Sequence, residues 1–330
     1  MGITVAVTGP TGEIGISAVE ALEREATVDR VLGMARRPFD PAARGWTKTE
    51  YRQGDILDQA AVGALVRDAD VVVHLAFLIM GSRRDTGRTN LAGASNVFAA
   101  TVAADRPRRL VYTSSVAAYG YHRGNPVPLT EDVPTRGSRE HYYSQQKADC
   151  EVLLREITGG TGLDVYVLRP CIVAGPKATA LADAMPWNQI PEPLAGWSRA
   201  AGRTLPVLQP LFPDPGVKLQ LVHHDDVAQA IAAACLGRGS PGAYNLAADG
   251  EVTLGDVVRA VGGRGVRVPR ALAVIASQLL ARMPWTPALA EWVHTSRTSV
   301  VMDTRKAKRE LGWQPAHTSA QTLQAMAAVL

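Results

Sequence analysis

Short apolar runs alternate with segments of helical spacing along the first half of the chain. Five of the runs predict strands, the first being ITVAVTG from Ile3 and the last LDVYVLRP, which ends at Pro170. The segments between them place apolar residues three or four positions apart, as at Ile16, Val19 and Leu22, which is typical of amphipathic helices. Apolar strands alternating with such helices predict an α/β fold, a doubly wound parallel sheet buried on both faces.

The same pattern sets the bounds of these elements. The predicted strands cover residues 3–9, 29–35, 70–76, 109–115 and 163–170, and the predicted helices cover 13–26, 58–69, 90–104 and 142–158. After Gly175 the pattern is lost, and residues 178–216 are rich in Pro, Trp and Leu. Strand–helix patterns return at 219–236 and 243–262, and the tail from Asp303 predicts two helices joined by a turn.

The segment TGPTGEIG follows the first predicted strand and opens the first predicted helix. Gly9 permits a tight turn, and Gly12 a close backbone approach to a pyrophosphate. Gly15 permits close packing of the helix on the strand. Phosphates bound here would meet the positive end of the helix. The segment therefore predicts a Rossmann-type sheet that binds a dinucleotide.

The loss of pattern after Gly175 divides the chain into two predicted parts. Residues 1–174 plus about 218–247 form the Rossmann domain, and about 175–217 plus 248–330 form a smaller, interleaved C-terminal substrate-binding lobe. With 330 residues, 46% of them hydrophobic, the chain is long enough for one large domain or two coupled domains.

The composition of the chain limits the classes of partner and the cellular compartment that we expect. The 35 basic and 31 acidic side chains give a net charge of +4, and the basic residues are scattered, so no nucleic-acid surface is predicted. Cys150, Cys171 and Cys235 form no CxxC pair, which favours a reducing cytoplasm. MGITVAVTG lacks the features of a signal peptide, and the apolar run ALAVIASQLLARM is too short to span a bilayer. We expect a cytoplasmic protein without a membrane partner.

The acid that usually selects NAD is missing from its expected place. An acid about 20 residues beyond the glycines would bind the ribose 2′-hydroxyl. Here the second strand ends with Ala35, followed by Arg36 and Arg37. Arginine pairs well with a 2′-phosphate, which favours NADP(H) over NAD(H) as the cofactor. The alternative is that both arginines are solvated loop residues.

Further motifs stand in a characteristic order along nearly the whole chain. Besides TGPTGEIG they are GDI from Gly54, HLA from His74, NLAGASNV from Asn90, YTSSVAAYG, YSQQK, LRPCIVAGP, LVHHDDVAQAI, AYNLA and ELGWQP. In this order and spacing the sequence resembles the extended short-chain dehydrogenase/reductase family, often called the NAD-dependent epimerase/dehydratase family.

The resemblance implies a catalytic set of Ser115, Tyr143 and Lys147, with Ser114 as the less favoured neighbour of Ser115. It implies for Asn90 a role that is more often structural than chemical. The residues that we expect at the cofactor, from the glycine loop, the arginine pair and the resemblance together, are Gly9, Thr11, Gly12, Glu13, Ile14, Gly15, Arg36, Arg37, Asp55, Ile56, Leu75, Ala76, Asn90, Thr113, Tyr143, Lys147, Pro170, Ile172 and Val173.

These residue types suit hydride transfer to a carbonyl, which leaves an alkoxide in need of a proton. Tyrosine, with a pKa of ~10, supplies that proton near neutral pH only where its anion is stabilised, and a nearby ammonium does this. Tyr143 and Lys147 share a face of their predicted helix because four residues make almost one full turn, whereas Tyr142 points elsewhere. Ser115 would orient the substrate oxygen.

The run His223-His224-Asp225-Asp226 has the residue types of a metal site. Since adjacent residues of a strand point apart, we expect no metal here. The family resemblance also implies that a strand passes into a helix at this run, where Asp225 or Asp226 would cap the helix.

A few positions separate the reactions of the family. Its nucleotide-sugar dehydratases carry an Asp–Glu pair where this chain has Val116 and Ala117. Its epimerases tend to carry an arginine at the place of Leu219, next to Lys218, to hold a diphosphate. Both departures weaken a nucleotide-sugar substrate. Four tryptophans favour an apolar pocket or, equally, a filled core: Trp187, Trp197, Trp285 and Trp292.

The sequence thus predicts an NADP(H)-dependent oxidoreductase that interconverts a carbonyl and a secondary alcohol on a small, largely apolar substrate. The alternatives are a nucleotide-sugar epimerase and a non-catalytic NADP(H)-binding sensor, although a sensor need not keep Ser115, Tyr143 and Lys147. The resemblance also implies pairing into a homodimer through the helices that start near Asn90 and Tyr142.

Overall fold

The computed structural model describes residues 2–183, 211–269 and 298–330. The strands are β1 (Ile3–Thr8), β2 (Val28–Ala35), β3 (Thr49–Gln53), β4 (Val71–His74), β5 (Arg109–Thr113), β6 (Asp164–Pro170), β7 (Ile172–Ala174), β8 (Leu211–Asp214), β9 (Lys218–Leu219), β10 (Leu221–His223), β11 (Gly242–Leu246), β12 (Val252–Thr253) and β13 (Arg264–Arg267). The helices are α1 (Glu13–Arg24), α2 (Gln59–Val66), α3 (Arg83–Ala103), α4 (Tyr142–Thr158), α5 (Ala180–Asp183), α6 (His224–Cys235), α7 (Leu254–Ala260), α8 (Arg305–Glu310) and α9 (Ser319–Ala327).

Seven parallel strands form the central sheet, in the order β3-β2-β1-β4-β5-β6-β11. The prediction of a doubly wound α/β sheet is confirmed. From β1 the chain first builds towards one edge, through β2 and β3, and then returns past β1 to build the other side from β4. At such a reversal the carboxyl ends of the strands form a ligand-binding crevice. Gly9, Arg36 and Leu75 follow the ends of β1, β2 and β4 and lie at this crevice.

Alternate side chains of β1 point to opposite faces of the sheet. Val5 and Val7 belong to a buried cluster with α1 and α6, whereas Ala6 belongs to a second cluster with α2, α3 and α4. From α1, Val19 and Leu22 are fully buried, as the helical spacing predicts. Because both faces are covered by helices, apolar residues run continuously through the inner strands.

The helix predicted from residue 90 begins seven residues earlier, at Arg83, as α3. Its first two turns are mostly polar and contain Gly87, so apolar spacing cannot detect them. Ser82 caps the helix, since its hydroxyl accepts a hydrogen bond from the Asp85 amide at 3.1 Å. Asn90 therefore lies inside the helix rather than at its start.

The apolar pattern also does not predict β3, whose sequence is TEYRQ. Among the described strands this one pairs only with β2, and it forms one edge of the central sheet. Its side chains are half-buried or exposed, so the strand tolerates polar residues that an inner strand would exclude.

Short two-stranded ladders accompany the central sheet: β10 with β7, β12 with β9, and β13 with β8. The two helices predicted for the tail are present as α8 and α9. The four tryptophans of the predicted lobe lie outside the described residues, so the apolar pocket stays a prediction, as does the division into two domains. Within the described ranges, no helix combines the length and the apolar character needed to cross a membrane.

Candidate active site

The glycine loop lies between β1 and α1 and packs backbone against backbone. Gly9 has a φ of +77°, and a Cβ there would lie 2.9 Å from the Ala76 backbone. A Cβ on Gly15 would lie 2.0 Å from the Gly9 carbonyl oxygen. At Gly12 a Cβ would meet only that oxygen, at 3.6 Å. The first and third glycines are thus required by the fold itself, and the second leaves room for a ligand to approach.

The first turn of α1 suits a diphosphate. Its N-cap is Gly12, and no side chain caps the amides of this turn. In contrast, Asp58 caps α2 and Ser82 caps α3. Amides without a side-chain cap, at the positive end of a helix, are the usual partners of phosphate oxygens. The loop therefore fits the diphosphate of a dinucleotide.

The other predicted residues of this loop surround the same turn. Thr11 precedes the N-cap and is half-buried. Ile14 packs against the buried cluster beside β1. The Glu13 carboxylate accepts a hydrogen bond from the Ala180 amide at 3.1 Å, so it links the turn to the segment that follows β7.

Arg36 and Arg37 leave β2 with exposed side chains, and neither forms an ion pair with another described residue. Their backbone is held from β3. The Tyr51 hydroxyl donates to the Ala35 carbonyl at 2.9 Å, and the Gln53 amide donates to the Arg36 carbonyl at 3.0 Å. Two guanidinium groups thus stand on a fixed backbone at the end of β2, where the ribose of a dinucleotide would lie.

Two further pairs of predicted cofactor residues border the crevice. The Asp55 carboxylate accepts a hydrogen bond at 3.0 Å from the amide two residues on, which fixes its own turn. Ile56 is 8% exposed and belongs to the cluster under α3. Leu75 and Ala76 follow β4, and the close approach of Ala76 to Gly9 places this pair beside the glycine loop.

Asn90 ties the segment after β4 to α4. Its carboxamide oxygen accepts from the Leu78 amide at 2.8 Å, and its nitrogen donates to the Leu78 carbonyl at 2.9 Å and to the Gln146 side chain at 2.8 Å. Both amide hydrogens are used and the residue is 1% exposed. These bonds give Asn90 a structural role, and its contact with the cofactor stays a prediction.

The two serines after β5 have different partners. The Ser114 hydroxyl donates to the buried Glu151 carboxylate at 2.6 Å. Ser115 begins the 3₁₀ turn Val116–Tyr119, where its oxygen accepts from the Ala117 amide at 3.2 Å. Among the described residues its hydroxyl hydrogen has no acceptor, so Ser115 is the serine that can still donate to a substrate oxygen.

The helix α4 begins at Tyr142 and ends at Thr158, at the predicted bounds, and Phe77 joins two of its residues. The Tyr143 ring packs edge-on against Phe77, with 5.5 Å between ring centres. Lys147 Nζ lies 3.8 Å from the centre of the Phe77 ring and 6.0 Å from that of Tyr143. Sequence reasoning missed Phe77, although an aromatic residue directly after the HLA motif lies where a crevice wall is expected.

A hydrogen bond locks the turn of Ser115 against α4. The Ser144 hydroxyl donates to the Ala117 carbonyl at 2.6 Å. Ser144 follows Tyr143, and Ala117 lies two residues after Ser115. The structure therefore brings together the two elements that carry the predicted serine and tyrosine.

Lys147 is 4% exposed, and its ammonium donates to the Thr113 carbonyl at 2.9 Å. Burial lowers the pKa of Lys147 to about 8, with Cys150 and Glu151 opposing the shift. At pH 7, which lies below this pKa, Lys147 is mainly the ammonium. A cation held so close to the crevice stabilises a phenolate. The Thr113 hydroxyl has no partner among the described residues.

Tyr142 points away from this cluster. Its hydroxyl donates to the Ile79 carbonyl at 3.0 Å, in the segment that follows β4. The helical angle predicts this divergence, and the structure gives Tyr142 a packing position at the border of the site.

Pro170, Ile172 and Val173 lie where β6 passes into β7. Pro170 ends the pairing of β6 with β11, and Ile172 and Val173 pair with β10. These three residues thus continue the carboxyl edge of the central sheet on the side away from the glycine loop.

A buried polar network that sequence reasoning missed supports the site from below. Arg169 pairs with Glu151 through bonds of 3.0 and 2.7 Å and donates to the Tyr119 hydroxyl at 2.7 Å. That hydroxyl donates to Asn245 at 2.7 Å. Burial disfavours the Arg169 charge, but bonds and attraction from Glu151 outweigh it and hold the Arg169 pKa above its ordinary value. An arginine inside the apolar run LDVYVLRP is the signal that could have found the network.

The prediction that Asp225 or Asp226 caps a helix was wrong. The N-cap of α6 is His223, whose Nδ1 accepts from the Asp225 amide at 3.3 Å. Because β10 runs directly into α6, both aspartates lie within the first turn instead of before it. In the first turn their negative charges still interact favourably with the positive end of the helix.

The expectation that the adjacent histidines point apart was also wrong. The rings of His223 and His224 lie 4.1 Å apart between centres, and with Asp225 they have the spacing of a metal site. His224 is already engaged, since Nδ1 contacts Ser17 at 2.8 Å and Asp225 at 2.9 Å, and Nε2 accepts from the Lys177 amide at 3.2 Å. The bonds of His224 join α1 to α6, and the absence of a metal from this cluster stays a prediction.

The chain is similar to known proteins in sequence and in fold. A sequence profile of the NAD dependent epimerase/dehydratase family matches residues 5–247. The uncharacterized protein y4nG of Sinorhizobium fredii is 26% identical over 327 residues, 97% of this chain and 76% of that protein. Human 3 beta-hydroxysteroid dehydrogenase type 7 is 32% identical over 189 residues, 51% of this chain and 50% of that protein.

Solved structures show the same fold. The UDP-glucuronic acid 4-epimerase of Bacillus cereus, in complex with NAD, superposes with a TM-score of 0.71 at 16% identity. The alignment covers 99% of this chain and 98% of the epimerase. At this identity the likeness shows the arrangement of the elements and not the reaction.

Proposed function

Since the chain belongs to the NAD-dependent epimerase/dehydratase family, we propose that it is an NADP(H)-dependent oxidoreductase that interconverts a carbonyl and a secondary alcohol on a small, largely apolar substrate. The observation that carries the proposal is the buried Lys147 ammonium, which shares the Phe77 ring with Tyr143 beside the turn of Ser115. When bound, the nicotinamide supplies the hydride.

The side chains of the site then move and hold the proton. Tyr143 donates its phenolic proton to the oxygen of the reduced carbonyl, and Lys147 stabilises the phenolate that remains. Ser115 donates a hydrogen bond to the same oxygen and fixes its position. Phe77 excludes water from the ammonium, which strengthens the attraction between cation and phenolate.

Three observations favour an apolar substrate over a nucleotide sugar. Lys218 lies next to the position where epimerases of the family tend to carry a diphosphate-binding arginine. Its ammonium forms an ion pair with the Glu251 carboxylate at 2.7 Å. Leu219 at that place is 4% exposed and pairs with β12. The partial likeness to a human hydroxysteroid dehydrogenase points to the same substrate class.

A comparison of substrates tests the proposed function. Purified protein with NADPH should reduce members of a panel of aliphatic and aromatic ketones, and with NADP⁺ or NAD⁺ it should not interconvert UDP-glucose and UDP-galactose. Interconversion of the two sugars with the oxidised cofactor, without net formation of the reduced cofactor, would establish the epimerase. Tight NADPH binding with no turnover of either class would establish the sensor.

Arg36 and Arg37 should determine the preference for the phosphorylated cofactor. We expect Arg36→Ala/Arg37→Ala to weaken NADPH binding by about 10- to 100-fold and to leave NADH binding nearly unchanged, because only NADPH carries the 2′-phosphate. Fluorescence titration of both cofactors measures the two dissociation constants.

Arg24→Ala/Arg67→Ala is the matched control, because it also removes two exposed arginines. They lie at the carboxyl-terminal ends of α1 and α2. It should leave both dissociation constants within about twofold at moderate salt. Equal binding of NADH and NADPH by the wild-type protein would contradict the assignment.

A further inference from the structure

An amphipathic surface, here called the entrance surface, borders the proposed proton donor. It has two exposed apolar side chains, 46% and 61% exposed, followed by three exposed arginines: Ile79, Met80, Arg83, Arg84 and Arg88. Hydrogen bonds fix it beside α4, from the Tyr142 hydroxyl to the Ile79 carbonyl at 3.0 Å and from Gln146 to the Arg83 carbonyl at 3.4 Å.

An apolar path leads from the proton donor to this surface. Phe77 contacts the Tyr143 ring, Leu78 is half-buried, and Ile79 and Met80 reach solvent. The path follows four consecutive residues without a polar side chain. Adjacent large apolar groups in water at the mouth of a site are typical of a surface that meets an apolar ligand.

The arginines occupy positions that the local helix disfavours. Arg83 and Arg84 are the first two residues of α3, at the positive end of the helix. Arg84 and Arg88 lie one turn apart on the same face and repel each other. None of the three forms an ion pair within the described ranges. The nearby Asp85 carboxylate accepts a hydrogen bond from the Ser82 hydroxyl at 2.6 Å, at the N-cap of the helix.

Helix stability therefore does not account for three unpaired cations at this place, whereas an anionic ligand does. Guanidinium groups bind carboxylates and phosphates in bidentate geometry and remain charged at every working pH. Only Gly81 and Ser82 separate the apolar path from the first arginine, so one extended molecule can contact both.

We propose, on the basis of the proposed function, that the substrate is an amphiphilic anion. Its carbonyl reaches Tyr143, its apolar body lies along Phe77 to Met80, and its carboxylate or phosphate binds Arg83, Arg84 and Arg88. An anionic membrane is the other partner that such a surface could meet. The small extent of the apolar part and its direct continuity with Tyr143 favour a single molecule.

Two ketones that differ only in charge test the proposal: 2-decanone and 9-oxodecanoate. Their binding to the NADP⁺ complex is measured by calorimetry, because no hydride is available in this complex and turnover cannot disturb the equilibrium. At an ionic strength of about 20 mM, the wild-type protein should bind 9-oxodecanoate about tenfold more tightly than 2-decanone. In Arg83→Ala/Arg84→Ala this ratio should fall below about twofold.

The matched control is again Arg24→Ala/Arg67→Ala, which removes the same charge from a remote edge and should keep the tenfold ratio. Equal binding of both ketones by the wild-type protein, or the same loss in both double variants, would overturn the proposal. So would failure of both ketones to bind while the ketone panel is still reduced with NADPH, a result that leaves the proposed function intact.

Binding to vesicles is the remaining arm. Sedimentation with phosphatidylserine vesicles that depends on Arg83 and Arg84, without any preference for 9-oxodecanoate, would assign the surface to a membrane and refute the substrate class. Absence of ketone reduction across the whole panel, by contrast, would refute the proposed function itself.

Discussion

Replacing Tyr143 with phenylalanine is expected to lower the rate of carbonyl reduction by about 10²- to 10⁴-fold, the range typical for loss of a general acid. The substitution removes only the hydroxyl and keeps the ring that packs against Phe77 at 5.5 Å. NADPH should therefore still bind with an affinity within a few fold of the wild type. Single-turnover oxidation of bound NADPH, together with fluorescence titration of the cofactor, separates the chemical step from binding.

The neighbouring tyrosine provides the matched control. Tyr142→Phe also removes one phenolic hydroxyl from the first turn of α4, and with it the bond to the Ile79 carbonyl. Its rate should remain within about threefold of the wild type, since no proton passes through it. Comparable losses in the two variants, or full activity of Tyr143→Phe, would remove Tyr143 from the reaction.

The largest effect on stability is expected at Glu151. Glu151→Leu should lower the free energy of unfolding by about 3–5 kcal/mol, because it leaves the 6%-exposed Arg169 as a buried charge without its partner. It also frees the Ser114 hydroxyl, which now donates to Glu151 at 2.6 Å. Urea unfolding followed by circular dichroism measures the change.

Two comparisons make this test specific. Glu50→Leu breaks the Arg30–Glu50 pair at the exposed edge of the sheet and should cost less than about 1 kcal/mol. The double variant Glu151→Leu/Arg169→Met removes both buried charges and should recover part of the loss, although Tyr119 then loses a partner. If Glu151→Leu cost no more than Glu50→Leu, the network would not stabilise the fold.

Local patterns predict well those features that depend on one segment. The bounds of α4 and the different directions of Tyr142 and Tyr143 follow from helical spacing alone, and both match the structure. The inner strands follow from their continuous apolar runs, because burial on both faces admits little else. The edge strand β3 escapes the same reasoning, since half of its surface meets water and polar residues are no obstacle.

Features that join distant segments are not accessible in this way. The pair Glu151–Arg169 depends on how α4 lies across β6, and neither residue alone indicates its partner. The His223 cap depends on the direct passage of β10 into α6. The helix therefore starts at His224, a bound that apolar spacing cannot fix to within one or two residues. The contact of Phe77 with Lys147 depends in the same manner on the path of the chain after β4.

Between Leu78 and Arg83, hydrogen bonds from three side chains of α3 and α4 hold the main chain. Asn90 bonds to the amide and carbonyl of Leu78, Tyr142 to the carbonyl of Ile79, and Gln146 to the carbonyl of Arg83. All of these bonds are made to main-chain atoms, so they do not depend on the side chains of residues 78, 79 and 83. Residues 78–80 and 83 can therefore be exchanged in evolution or by design while the loop keeps its course, which makes this stretch the natural place to alter substrate choice on an unchanged catalytic frame.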